Sequence, residues 1–214
     1  ILVNTSDKQY TVFVGSNIIN TTSAILKKKL PDVKKIAIVY DKNLSREKLK
    51  KIELSLKNYQ LNFYKFNSID KVKNIKVATF LIEDIIKKNF NRSDCIIAFG
   101  GGVLGDLTAF VSSIIKRGIR FINIPTTLLS QVDASVGGKT AINSNQGKNL
   151  IGTFYQPEFI IADISILETL PHREMICGYG EILKHSLILD RKFFIWLTKN
   201  GKKIIQKNKK ALKY

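Results

Sequence analysis

The stretch IIAFGGGVLGDLTAF, residues 96–110, runs an apolar strand into a cluster of glycines, then an acid, then an apolar helix. Gly100, Gly102 and Gly105 match the spacing G-x-G-x-x-G between strand and helix. Without Cβ atoms, a phosphate can approach the backbone N–H groups there, and the helix N-terminus favours its negative charge. Taken alone, the spacing is equally that of a tight strand-to-helix turn. The common dinucleotide fingerprint places an acid about twenty residues later, at the end of the next strand. Here that place reads NIPTT, with Thr126 and Thr127. The strand-end acid lies upstream, at Asp41 in IVYDKN. A dinucleotide would set its adenosine ribose at Asp41 and its pyrophosphate at Gly101–Gly105; the competing reading of Asp41 is a loop or helix-capping aspartate.

A second constellation is GEILKH, in which Glu181, Lys184 and His185 stand at i, i+3 and i+4 on one helical face. Zinc accepts carboxylate oxygen and imidazole nitrogen. The spacing therefore leaves two readings open: a Glu181–His185 metal pair, or a surface Glu–Lys pair beside a core-flanking histidine. Lys139 and Lys148 each follow a glycine inside a long polar stretch. A lysine so placed can set a cation beside developing alkoxide or enolate charge.

The elements that position these residues alternate. Strands read at 10–15, 35–41, 61–66, 95–99, 119–125 and 159–165, with helices at 18–30, 45–58, 76–89 and from the glycine turn to Lys116. Such alternation implies a parallel sheet covered by helices, with ligands at the carboxyl ends of the strands. Residues 126–157 are rich in Gly, Asn, Ser and Thr and weakly periodic, reading as one long functional loop. After Pro171 the pattern is helical to the end. The fold class is thus a Rossmann-like α/β domain, residues 1–165, followed by the start of an all-α domain, 166–214.

The bulk numbers exclude several classes. A hydrophobic content of 44% and charged content of 24% are those of a globular chain, and no apolar run is long enough to span a bilayer. Cys95 and Cys177 stand far apart, which is neither a disulfide framework nor a CxxC metal site and suits the cytosol. The net charge of +18 suggests nucleic acid. However, the lysines are spread along helices as solvated faces, without the interleaved aromatics of an RNA-binding surface. The chain begins with Ile1 and ends inside a helical pattern, so it reads as a piece of a longer protein.

The segments AFGGGVLGDLTAF, PTTLLSQVDASVGGKT, GKNLIG and TLPHRE together closely resemble the 3-dehydroquinate synthase family, and a looser likeness runs from residue 1 to 214. The resemblance implies an NAD-binding α/β domain joined to a helical domain that binds a divalent metal, zinc or cobalt. It implies conversion of 3-deoxy-D-arabino-heptulosonate 7-phosphate to 3-dehydroquinate and phosphate. That route runs through oxidation by NAD, β-elimination, reduction, ring opening and aldol closure. Carried over, Asp41 and Asn43 match positions near the adenosine. Asp70 and Lys73 match a G-E-x-x-K motif, with Ile69 where the family has glycine and Asp70 where it has glutamate. Gly101, Gly102, Val103, Leu104, Gly105 and Asp106 match the pyrophosphate and nicotinamide turn, and Thr126 and Thr127 the hydroxyls after it. Lys139 and Lys148 flank nicotinamide and substrate, Asp133 and Asn149 contact substrate, and Leu167, Glu168 and Thr169 line the cofactor. Arg117 matches an arginine that reaches the substrate phosphate of a neighbouring subunit, which implies a homodimer. Glu181 matches a carboxylate metal ligand and Lys184 an active-site lysine. Neither His172 nor His185 matches a ligand, since the family's two remaining ligands are histidines further along. Two alternatives stand beside this reading: another NAD- and metal-dependent cyclase, or an inactive NAD-binding remnant. A helical domain cut short would also leave apolar surface on residues 174–205.

Overall fold

The computed structural model describes residues 1–213. In chain order the elements are β1 (Leu2–Asn4), β2 (Gln9–Gly15), α1 (Thr22–Lys29), β3 (Lys35–Asp41), α2 (Arg46–Ser55), β4 (Gln60–Phe66), α3 (Ile75–Lys87), β5 (Cys95–Gly100) and α4 (Gly102–Ile114). Then follow β6 (Arg120–Pro125), β7 (Lys139–Ser144), β8 (Gly147–Phe154), β9 (Phe159–Asp163), α5 (His172–Leu189), α6 (Arg191–Ile205) and α7 (Lys209–Leu212).

Two sequence runs decide the centre of the sheet. KIAIVYD and CIIAFG are apolar at nearly every position, so they suit strands covered on both faces. They form β3 and β5, and Ile36 to Val39 and Cys95 to Phe99 are wholly buried. Seven strands join in the order β1-β2-β9-β6-β5-β3-β4, all pairs parallel except the short β1 against β2. One face packs on α1 and α2 through Leu26, Leu30, Ile52 and Leu56. The other packs on α3 and α4 through Leu81, Ile85, Leu104 and Leu107. A smaller core joins α5, α6 and α7 to the loop residue Leu128 and to Leu167.

The strand order reverses beside β5: β3 leads outward to β4, whereas β5 leads the other way to β6. Ligand crevices of open parallel sheets lie at that point, off the carboxyl ends of the strands. The ends that meet there are Asp41 and Gly100, two of the positions singled out above.

Three expectations change. Residues 126–157 are not a structureless loop. They hold a wide helical turn over Ser130–Ala134 and an antiparallel hairpin, β7 with β8. The hairpin is hard to see because only β7 buries one face, through Thr140 and Ile142, while β8 is mostly exposed and shows no alternation. Gly137 and Gly138, at φ +100° and +72°, turn the chain into β7, a conformation that L side chains rarely adopt. The helix expected at 18–30 opens as a 3-10 turn, Ile18–Thr21, before α1. The final helical run breaks at Asp190, whose carboxylate caps α6 by accepting from Lys192 N and Phe193 N at 2.9 and 3.0 Å. On that run Ile176, Leu187, Ile188, Leu189 and Ile195 are exposed.

Candidate active site

Helices α2 and α3 are capped by side chains, Ser45 and Asn74. Helix α4 is not: its N-cap is Gly101, in extended backbone. The amides of Gly102 and Val103 have no intrahelical acceptor, and no other described residue accepts from them. Both residues line a groove of about 460 Å³. Asp41 and Asn43 form part of the same groove, with Gly101, Gly102, Val103, Thr126, Thr127 and Thr169. A Cβ on Gly101 would stand 3.1 Å from Thr127 Cγ2, so this turn closes tightly on the strand end that follows it. Open amides at a helix N-terminus, glycine surfaces and a strand-end carboxylate suit a dinucleotide diphosphate and ribose.

Not every carried-over residue faces this groove. Leu104 and Leu167 are fully buried in hydrophobic cores, Leu104 under the sheet and Leu167 among the terminal helices. Gly105 is buried against the Asn123 side chain. Glu168 is exposed and pairs with Lys209 at 2.9 Å. From that segment the groove wall takes Ile166, Thr169 and Leu170.

A second cleft, of about 700 Å³, opens between α4 and the hairpin. Asp106, Asp133, Lys139 and Asn149 contribute to it. The hairpin is fastened across it by lysines. Lys73, 5% exposed, pairs with Asp106 and donates to Asn149 Oδ1 at 2.5 Å. Lys148 pairs with Asp70 nearer the surface. Asn143 completes the fastening: its N–H donates to Lys73 O at 2.7 Å, and its side-chain oxygen accepts from Asn149 N at 3.0 Å. Asn149 holds a left-handed φ of 58°. Lys73 and Asp70, carried over as cofactor contacts, are thus engaged in holding the hairpin.

Burial pushes the Asp106 carboxyl above the usual carboxylate range, and the Lys73 ammonium pulls it partway back. Folding therefore favours the protonated acid, and this stability is lost as pH rises from the ordinary carboxylate value through the raised one. Lys73→Met removes the compensating cation. It is expected to cost about 2–4 kcal/mol near neutral pH, the scale of breaking a partly buried pair. The cost shrinks in acid, where Asp106 is neutral with or without Lys73. Urea unfolding at both pH values measures this; an equal cost at both would place the effect in packing.

A third cluster adjoins the second cleft. Oxygen or nitrogen atoms of Asp133, Glu181 and His185 lie within 4.8 Å of one another. His185 Nε2 is 3.6 Å from Asp133 Oδ1, too far for a hydrogen bond, and is buried without a hydrogen-bond partner. Glu181 Oε2 is buried too, in an ion pair with the ammonium of Lys184. That carboxylate raises the Lys184 pKa above the usual lysine range. A buried imidazole nitrogen without a hydrogen-bond partner, set beside two carboxylates, is the observation that fits a divalent cation; zinc takes this donor set. Helical spacing already put Glu181 and His185 on one face. Asp133 comes from the Ser130–Ala134 turn, which no spacing rule links to α5. The structure thus gives His185, which matches no ligand in the family, a place beside Glu181.

Arg117 stands apart from both clefts, exposed at the end of α4, where Lys116 and Arg117 take left-handed φ of 51° and 63° before Gly118.

This fold is shared by solved sugar-phosphate cyclases. A 2-deoxy-scyllo-inosose synthase complexed with carbaglucose-6-phosphate, NAD+ and Co2+ superposes with a TM-score of 0.82 at 26% identity, over 88% of this chain and 51% of that one. A 2-epi-5-epi-valiolone synthase from Streptomyces hygroscopicus subsp. jinggangensis 5008, with NAD+ and Zn2+ bound, gives 0.86 at 23% identity, over 99% of this chain and 59% of that one. Residues 63–177 match the 3-dehydroquinate synthase N-terminal family, and the chain belongs to that family. The 3-dehydroquinate synthase of Pelagibacter ubique (strain HTCC1062) is 50% identical over 204 residues, 95% of this chain and 55% of that protein. The chain spans about half the length of the curated relatives it matches.

Proposed function

We propose that this chain is the cofactor-binding part of a 3-dehydroquinate synthase, acting on 3-deoxy-D-arabino-heptulosonate 7-phosphate. The observation that carries the reading is the uncapped N-terminus of α4, set beside Asp41 where the strand order reverses. In this reading residues 1–165 form the NAD-binding domain and 166–214 begin the helical, metal-binding one. Gly101, Gly102 and Val103 hold the cofactor diphosphate, and Asp41 and Asn43 its adenosine. Bound NAD supplies a reversible hydride acceptor, and a bound zinc or cobalt ion polarises substrate hydroxyls.

The chain's own residues do the rest. Lys139 and Lys148 place cations against alkoxide and enolate charge. Asp133 and Asn149 orient the substrate, and Asp106 walls the chamber. Asp133, Glu181 and His185 are the donors within the described residues that would hold the metal. Arg117 lies outside both clefts; in this reading it serves a partner's substrate phosphate in a homodimer, and that position is compatible with the role. In this reading the protein works in the cytoplasm. No helix among the described residues is long and apolar enough to cross a membrane.

The test is phosphate release from 3-deoxy-D-arabino-heptulosonate 7-phosphate by the protein containing this chain, supplied with NAD and zinc or cobalt. Release that needs both additions is expected. Release only from a different sugar phosphate would assign another cyclase activity, and no release from any would leave a nucleotide-binding remnant.

A further inference from the structure

Lys48 stands in the first turn of α2 and reaches across the nucleotide groove to the segment after β9. Its ammonium donates to the carbonyl of Ile166 and to Thr169 Oγ1, the latter at 2.5 Å. From the other side Lys207 donates to the carbonyls of Glu168 and Leu170, at 3.0 and 2.6 Å. Lysines therefore occupy the carbonyls of residues 166, 168 and 170 along this wall. Of Ile166, Thr169 and Leu170, which line the groove here, Thr169 carries the polar side chain.

An ammonium has donors and no acceptor. Against Lys48, the Thr169 oxygen must therefore accept, and its own proton must point elsewhere. Among the described residues nothing accepts it. Lys48 is itself half-buried and forms no ion pair among the described residues; burial lowers its pKa, with Glu168 the largest of the acids that oppose this. Among the groove-lining residues it is the one cation, and the lining also includes the acids Asp41 and Glu174.

We infer that Lys48 is a positioning residue that fixes Thr169 as a one-way hydrogen-bond donor into the groove, so that this wall reads an acceptor atom, such as a ring nitrogen of a nucleotide base. The inference rests on the dinucleotide reading above. The wall would then be selective for a ligand edge that accepts, and would disfavour one that only donates.

The experiment is calorimetric titration of NAD into the protein containing this chain and into its variants. Lys48→Met and Thr169→Val should each weaken binding by about tenfold, as for one lost hydrogen bond. The double variant should be no weaker than the worse single one, because both changes remove the same interaction. Thr169→Ser, which keeps the hydroxyl, should bind like the wild type. Additive losses, or a Thr169→Ser loss equal to that of Thr169→Val, would overturn the inference, since Lys48 would then act on the fold or on the ligand directly. Unchanged affinity in Lys48→Met would overturn it too, while leaving the dinucleotide reading in place. A wild-type chain that takes up no NAD would overturn both. If Lys48→Met does not fold, the Thr169→Ser and Thr169→Val pair still decides.

Discussion

Gly102→Val is expected to weaken NAD binding by more than about a hundredfold while the chain stays folded. The affinity loss follows from what the amides of Gly102 and Val103 do. They end helix α4 uncapped, where the helix charge is most positive, and they find no acceptor within the described residues. Two hydrogen bonds to a charged diphosphate are worth about 1.5–3 kcal/mol each, and 2.7 kcal/mol is already about a hundredfold. A valine here adds a branched side chain at the open turn, where a diphosphate would approach the amides. The fold tolerates it because a Cβ on Gly102 would meet only Ala134 Cβ, at 3.3 Å, and Ala134 is exposed and free to give. Gly102→Ala should fall between the two. Calorimetry measures the affinity, and thermal melting checks that the fold is retained. A valine variant that binds NAD as the wild type does would remove the diphosphate from this turn.

The parts of this architecture that were legible in the sequence are those with a one-dimensional signature. β3 and β5 are near-continuous apolar runs, and only a doubly covered strand uses such runs. The turn after β5 announced itself through glycines next to a strand end, and Asp41 through its place at the end of another strand. What stayed hidden depends on contacts between distant segments. The hairpin β7–β8 has one strand with no buried face, so it carries no alternation to read. The engagement of Lys73 with Asp106 and Asn149 joins three segments, and sequence proximity suggests none of it. Leu167 and Thr169 stand two residues apart in a 3-10 turn, yet one is sealed in the helical core and the other is exposed at the groove. A motif match covers both alike; only packing separates them. Lys48 carried no signal at all, being one lysine in a helix of lysines until the fold brings it to Thr169.

Glu181→Gln is expected to lower affinity for zinc or cobalt by more than about a hundredfold, since even outer-shell substitutions at metal sites cost about 10- to 100-fold. The argument is geometric first. A tetrahedral ion with bonds of about 2.1 Å needs donors about 3.4 Å apart. Asp133 Oδ1 and His185 Nε2 stand 3.6 Å apart, already near that edge, with Glu181 inside the same 4.8 Å cluster. The chemistry then sets the strength. Glutamine keeps the size of the side chain but removes the anion, so it leaves Lys184 beside a neutral amide and the ion with one carboxylate instead of two. Helix α5 should survive, because Glu181 is partly exposed and glutamine has its size. The measurement is titration of Co2+ into the chain, read by its visible absorption, which reports coordination without any turnover. His185→Ala should weaken binding too and shift the spectrum, because it removes the nitrogen donor. Binding that disappears with Glu181→Gln yet is untouched by His185→Ala would show that the carboxylate works with donors other than this imidazole. Binding untouched by either would put the ion elsewhere.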